Sequence, residues 1–483
     1  MSTSRGVSRR EFLKMAGLGA AGVTLGACAP TTQPPAVGQT APPPTAAPAA
    51  EATAAPAAPQ AQVVELALWQ GWAGATGIAA MQAVENELNS EGAPFKVKMQ
   101  TIEEGPLEEK LQTAIAAGTP PDIGVCCVSY SQFYARGSFI PLDDYIASST
   151  VIKKEDFVSG LFESMTWQGK VYGVPALECG PRFGFIYNKD LVAKAGLDAE
   201  KPPETWDEAY EWHKALTKKD NAGNVEVIGY DPRDGTAGAG PWPNLPIFWG
   251  VTYGLNVWDE KTGTFHFDDD LFVQALTTIK MFYDLVGVEQ MASFRTSYGG
   301  WTQSPSGSFP SGVQASLITG YYGPGELGHS APDMKFGVTW APRSEARRAA
   351  HYQAVCGHPA YIPKGTKYPD QAWNVIERVT SDKIAQIMFD TTGWLGGRKK
   401  WYDPTRADIA KYPGLDWYLK SANEATELWP GTVIPIDGFC NQQRNLTYDA
   451  VVYGQKTPKQ AAQDMQAACT RELAKQFPEM KFG

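Results

Sequence analysis

From residue 63 onward the chain alternates short apolar runs with amphipathic stretches, and this alternation limits the possible folds more than any other feature. Val63–Trp69 predicts a strand, and Gly71-Trp72-Ala73-Gly74 predicts the loop that leaves it. Thr76 is a candidate cap for a helix whose Ile78, Met81, Val84 and Leu88 share one face. Phe95–Thr101 predicts the next strand. Leu107, Leu111, Ala114 and Ile115 form a second helical stripe closed by Gly118, and Ile123–Val128 reads as a short buried strand. Strands separated by helices pair in parallel, with the helices covering the sheet faces. Ligands of such sheets lie at the carboxyl ends of the strands. Gln70, Trp72, Ser129 and Tyr130 are therefore placed beside any cleft.

The residues before 63 have a different character. Arg9-Arg10 lie in a Ser-Arg-Arg-Glu-Phe-Leu-Lys run that reads as a twin-arginine export signal. The small and apolar stretch Met15 to Ala27 is shorter than the roughly 20 residues a membrane span needs. It ends in Leu25-Gly26-Ala27-Cys28, which resembles a lipoprotein cleavage site with Cys28 as the acylated residue. Residues 29–62 are dominated by Ala and Pro, and Glu51 is their only charge. Such a segment buries too little apolar surface to offset ordering entropy, so it reads as a disordered tether.

The remaining ~420 residues exceed the size at which one hydrophobic core usually suffices, so two lobes are expected. The formal net charge is −10, although the leader itself is basic. An acidic body argues against nucleic acid or an anionic membrane surface as its partner. Besides Cys28 there are six cysteines, which allow fifteen pairings, and the expectation is mostly buried thiols with room for one bridge. No cofactor or metal is expected. His351, Cys356 and His358 match no zinc spacing and read as a hinge-adjacent loop, and His213 reads as a packed or surface histidine. Asp268-Asp269-Asp270 reads as the start of a helix rather than a metal cluster. The chain has no G-x-S-x-G and no P-loop, and the carboxylates Glu103, Glu104 and Glu178 define no acid/base pair by spacing.

Four stretches carry a family resemblance. GKVYGVP at 169–175 is followed by YNKDL at 187–191 and TWDE at 205–208. KLQTAIAAGTPPDIGVCCVSYSQFYARGSFIPLDDYI spans 110–146, YIPKGT spans 361–366, and TGWLGGR spans 392–398. Together they resemble bacterial extracellular solute-binding proteins, family 1, the binding components of ABC importers for sugars and related solutes. The resemblance implies an α/β, two-lobed periplasmic-binding-protein-like (type II) fold, each lobe a mostly parallel sheet flanked by helices and joined by hinge crossovers. It implies lobe 1 at 63–177 plus about 350–393, and lobe 2 at 178–349 plus about 394–483. Residues 168–191 become the first crossover, and Phe336–Pro342 resembles the second. Residues 292–312 read as a surface loop.

The resemblance also implies a solute held in the cleft, with Tyr322 or Tyr321 delivered to it by the Gly turn after strand 314–318. The alternative is that both tyrosines pack in the second-lobe core. Glu178 and Arg182, on the crossover, could grip a polar solute or pair with each other. Trp72 and Trp394 occupy glycine-containing turns that can reach the cleft. The implied function is capture of a carbohydrate by lobe closure and delivery to ABC permease subunits, by an exported, lipid-anchored protein. The alternatives are a tethered carbohydrate-active enzyme and a binder of a non-sugar solute, such as a polyol phosphate or small peptide.

Overall fold

The computed structural model describes residues 63–483 apart from 91, 127, 129, 234–249, 299–301, 303, 431–432, 481–483 and the side chains of residues 104, 356 and 430. The export signal, Cys28 and the tether lie outside the described residues, as does most of 231–258.

The predicted alternation is realised as β1 (Val64–Gln70), α1 (Ala75–Leu88), β2 (Phe95–Thr101), α2 (Glu104–Ala116) and β3 (Ile123–Val125). β1 pairs in parallel with both neighbours, Leu66 opposite Val97 and Leu68 opposite Ile123. These side chains pack against Met81, Val84 and Leu88 of α1 in one core. Two local expectations change. The helix begins at Ala75, so Gly74 is its N-cap and Thr76 already lies in the first turn. Ile78 is half exposed, because Gly77 and Ala80 take the buried positions. A Cβ on Gly77 would sit 2.9 Å from Trp72 Cβ, so the absence of a side chain lets the Trp72 loop lie close to the helix.

Short helices α3 (Tyr130–Ala135) and α4 (Asp143–Ser148) and the hairpin β4 (Thr166–Trp167)/β5 (Lys170–Val171) lead into β6 (Val174–Pro181), then β7 (Gly184–Asn188). Every residue of β6 and β7 is buried. The second lobe continues through α5 (Lys189–Lys194), α6 (Trp206–Leu216), β8 (Lys218–Lys219), β9 (Val225–Tyr230) and the hairpin β10 (Trp258–Asp259)/β11 (Thr264–Phe265). Next come α7 (Asp270–Val286), α8 (Val288–Tyr298), β12 (Gln314–Thr319), α9 (Tyr322–Ser330) and β13 (Phe336–Trp340). The sheet order is β13-β7-β12-β9-β8, with β12 parallel to β9 and antiparallel to β7, so this sheet is mixed.

Capping residues set several of these boundaries. Asn188 accepts from the amides of Asp190 and Leu191, and Asp269 accepts from that of Leu271. Thr205 caps α6, but the Glu208 carboxylate takes the Glu204 amide at 2.8 Å instead of closing a capping box. Part of the stretch read as a loop, 292–298, is helical, because Met291 and Phe294 give α8 a buried face. β13 is not a crossover. It lies at the edge of the second sheet, antiparallel to β7.

The return crossing belongs to β14 (Tyr352–Tyr361). Its middle runs antiparallel to β6, with Cys356 opposite Gly180, and its end pairs with β3 of the first sheet. Its start pairs in parallel with β15 (Glu427–Pro430), so the C-terminal segment also sends a strand into the first sheet, whose order is β15-β14-β3-β1-β2. α10 (Pro369–Val379) and α11 (Asp382–Thr392) contribute to the first core, where Ser381 caps α11 and Gly393 ends it at φ +77°. After α12 (Leu415–Glu424), α13 (Asp437–Val452) and α14 (Pro458–Gln476) pack into the second core with α7. Thr457 and Gln460 close a capping box at the start of α14. β6 and β14 are thus adjacent chain crossings between two sheets.

Candidate functional site

A buried ionic cluster sits on these crossings. Glu178 of β6 places Oε2 2.8 Å from Arg182 Nη2 and 3.0 Å from His358 Nε2 of β14. Glu178, His358 and Arg182 are 2%, 5% and 9% exposed. Burial alone would raise the Glu178 pKa, but the Arg182 charge and His358 hold it down to about 2. Burial pushes the His358 pKa down, so its ring is neutral at pH 7. Nδ1 of the same ring lies 3.0 Å from the Tyr130 hydroxyl, a hydrogen bond whose direction follows the ring tautomer. The group holds one negative and one positive charge, and the histidine links Tyr130 of the first lobe to the hinge carboxylate.

Aromatic rings surround it. Trp72 meets the His358 ring edge-on at 5.4 Å and lies 5.6 Å from Trp394. The Arg182 guanidinium is 5.5 Å from the Tyr322 ring centre and 5.9 Å from that of Tyr321. Of the nine residues singled out in the sequence, Ser129 lies outside the described residues, and seven of the other eight meet in one connected group joined through His358. Gln70 plays a supporting part. Its Oε1 accepts the Trp72 amide at 2.6 Å and its Nε2 donates to Thr101 Oγ1 at 2.5 Å, so the side chain fastens the Trp72 loop.

Tyr321 is fully buried beneath Gly180, where a Cβ would meet its ring at 2.1 Å, and its amide donates to Pro181 O at 2.9 Å. Tyr322 and Trp394 are also buried. Tyr321 OH, Trp394 Nε1 and Glu178 Oε1 have no hydrogen-bond partner among the described residues.

His358 is the residue that sequence reasoning undervalued. It lies inside a strand rather than a hinge-adjacent loop. Pro359 disguises that strand, and the bulge between Gly357 and Pro359 breaks the alternation that would reveal its face. His213 is a packed histidine, buried on α6, and its Nδ1 accepts the Tyr230 amide at 3.0 Å.

A second polar face was missed entirely. Asp437, Asn441, Arg444 and Tyr448 recur at i, i+4, i+7 and i+11 on α13, a spacing that aligns them on one side of the helix. Each is at most 5% exposed. The start of α13 abuts the first lobe, since a Cβ on Gly438 would lie 3.4 Å from Glu108 Oε1 and from Gln132, which donates to Glu108. Toward its other end, Asp449 pairs with Arg233 at 2.5 Å, just beyond β9 of the second lobe. Asn441 Nδ2 donates to Asp437 Oδ1 at 3.2 Å, and Arg444 Nη2 donates to Asn445 Oδ1 at 3.1 Å. Asp437 Oδ2, Asn441 Oδ1, Arg444 Nη1 and Tyr448 OH have no hydrogen-bond partner among the described residues. Burial, reinforced by the Glu108 charge, pushes the Asp437 pKa up to about 8, which leaves its carboxyl mostly protonated at pH 7. Arg444 is then a buried cation without an ionised partner, a costly arrangement in the free protein.

Among the described residues no group of three or more His, Cys, Asp or Glu could hold a metal ion. Cys126 is disulfide-bonded, Cys179 is buried, and Cys440 and Cys469 are buried free thiols.

Two sheets joined by adjacent crossing strands, with buried polar groups converging between them, define a two-lobed solute-binding protein. The chain belongs to the bacterial extracellular solute-binding protein family, whose model matches residues 73–386. It is 26% identical over 292 residues to the sn-glycerol-3-phosphate-binding periplasmic protein UgpB of Brucella abortus (strain 2308), covering 58% of this chain and 62% of that protein. Its fold is similar to CpMnBP1 with mannotriose bound, at TM-score 0.72 and 24% identity over 84% of this chain and 100% of that chain. It is also similar to the maltose/maltodextrin-binding domain MalE from Bdellovibrio bacteriovorus bound to maltotriose, at TM-score 0.67 and 16% identity over 85% of this chain and 100% of that chain.

Proposed function

We propose that the protein captures a carbohydrate between its lobes and hands it to the membrane subunits of an ABC importer. The observation that carries this reading is the convergence of Trp72, Tyr130, Tyr321, Tyr322 and Trp394 on the buried Glu178–Arg182–His358 cluster at the crossing strands. Aromatic rings beside directional polar groups suit a pyranose, whose CH faces stack and whose hydroxyls donate and accept. The two adjacent crossings β6 and β14 supply a hinge about which the lobes close. Export by the twin-arginine route and anchoring through lipid on Cys28 belong to the same reading, since a tether lets the binding body reach its permease. A Cys28→Ala variant should leave the membrane fraction with its solute affinity intact.

A second reading is favoured by one observation. Arg444 is a buried cation with a free Nη1 and no carboxylate pair among the described residues, beside a protonated Asp437. That arrangement suits an anionic group carrying hydroxyls, such as a polyol phosphate, and UgpB is named for such a solute.

A thermal-shift panel of mannobiose, mannotriose, maltotriose and glycerol 3-phosphate separates the two. The carbohydrate reading predicts stabilisation by a neutral saccharide that persists in Arg444→Met. Stabilisation by glycerol 3-phosphate alone, abolished in Arg444→Met, would replace it by the second reading. Release of reducing sugar from the oligosaccharides would instead revive the enzyme alternative.

A further inference from the structure

α13 and α14 each bring one thiol to their interface, and the two sulfurs touch. Cys440 Sγ lies 3.4 Å from Cys469 Sγ, both residues are at most 1% exposed, and 29 positions separate them in sequence. The pairing has no rival among the other described thiols, because Cys126 is already bonded and Cys179 packs in a separate cluster with Leu161 and Val355. A disulfide needs the sulfurs at about 2.05 Å, so roughly 1.4 Å of approach is required, within reach of small side-chain rotations. The only hydrogen bond lost is the weak S–H···S contact itself. A fold that holds two thiols in contact gives them a high effective concentration toward each other, which favours the closed form over two separate mixed disulfides.

We propose that Cys440 and Cys469 form a disulfide that fastens α13 to α14 in the exported protein. The oxidant is an external disulfide of the glutathione or thiol-oxidase class. One thiolate attacks it and displaces a thiol. The second cysteine then displaces the other half, forming the Cys440–Cys469 bond and leaving the external disulfide reduced to two thiols. Neither sulfur is open to solvent in the folded chain, so exchange occurs while the α13–α14 hairpin is open. The family acts outside the cytoplasm, where such bonds persist. The consequence concerns the polar face of α13. Asn441 is adjacent to Cys440, and Asp437 and Arg444 lie one turn to either side, so the link fixes their register against the helix that packs on α7.

The test is to unfold and reduce the full chain, refold it with oxidised and reduced glutathione, and then quench in acid. The protein is alkylated under denaturing conditions and digested without reduction. Mass spectrometry should find one linked pair of peptides containing Cys440 and Cys469, 2 Da lighter than the two thiol peptides together. The refolded wild type should melt above Cys440→Ala and Cys469→Ala, and the double variant should melt no lower than the lower of these two. Recovery of both cysteines as alkylated thiols would overturn the proposal. If the variants fail to refold, the peptide map of the wild type still decides.

Discussion

Replacing Glu178 by Gln removes the negative member of the hinge cluster while nearly preserving its shape. Arg182 then remains 9% exposed without its 2.8 Å carboxylate partner. Breaking one side of a buried ion pair typically costs about 3–5 kcal/mol. The titration behaviour supports the lower end. A carboxyl whose pKa moves from an ordinary 4.5 to about 2 stabilises the fold by on the order of 3 kcal/mol once ionised. With an unfolding entropy of about 2.1 cal/mol/K per residue, a body of roughly 420 residues melts about 3–4 °C lower for such a loss. Because the folded pKa is depressed, the stabilisation is complete above about pH 4.5 and disappears as the pH falls through about 2. Calorimetry of wild type and Glu178→Gln between pH 7 and pH 3 should therefore show a deficit of several degrees at neutral pH that narrows in acid. Glu178→Gln combined with Arg182→Met should recover much of it. Equal melting temperatures at pH 7, or a deficit that stays constant into acid, would refute this account of the cluster.

Asp437→Asn should raise the melting temperature more at pH 8 than at pH 4, because burial raises the carboxyl pKa to about 8 and the folded state loses stability as the pH rises toward that value; paired melts at the two pH values check this. Gly180→Ala should lower the urea midpoint by the equivalent of about 1–3 kcal/mol, since the new methyl meets the Tyr321 ring. Tyr322→Ala should cost about 3–5 kcal/mol in equilibrium denaturation, because Tyr322 is only 7% exposed, whereas Tyr322→Phe should keep most of the stability.

Much of the first lobe was legible because its strands and helices switch cleanly between periods of two and 3.6, as in Phe95–Thr101 beside the Leu107/Leu111 stripe. Caps such as Asn188, Ser381 and Thr457 act within one helical turn, so the residues that start these helices are local in the sequence. What failed was non-local. β13 and β14 are both apolar runs after turns, and only strand pairing decides which one crosses between the sheets. Trp72, Glu178 and Arg182 could be named from their turns and from the resemblance, but His358 could not, because its importance lies in partners 180 and more positions away. The polar face of α13 was missed because buried Asp, Asn and Arg at helical spacing look like a solvated face until the opposing lobe is in place.

The central claim is that a solute binds between the lobes and draws them together. Small-angle scattering of the protein at saturating concentrations of whichever panel solute raises its melting temperature tests this directly. A fall in the radius of gyration on binding, lost together with the thermal shift in Trp72→Ala, is the predicted result. A thermal shift with an unchanged radius of gyration, retained in Trp72→Ala, would contradict it.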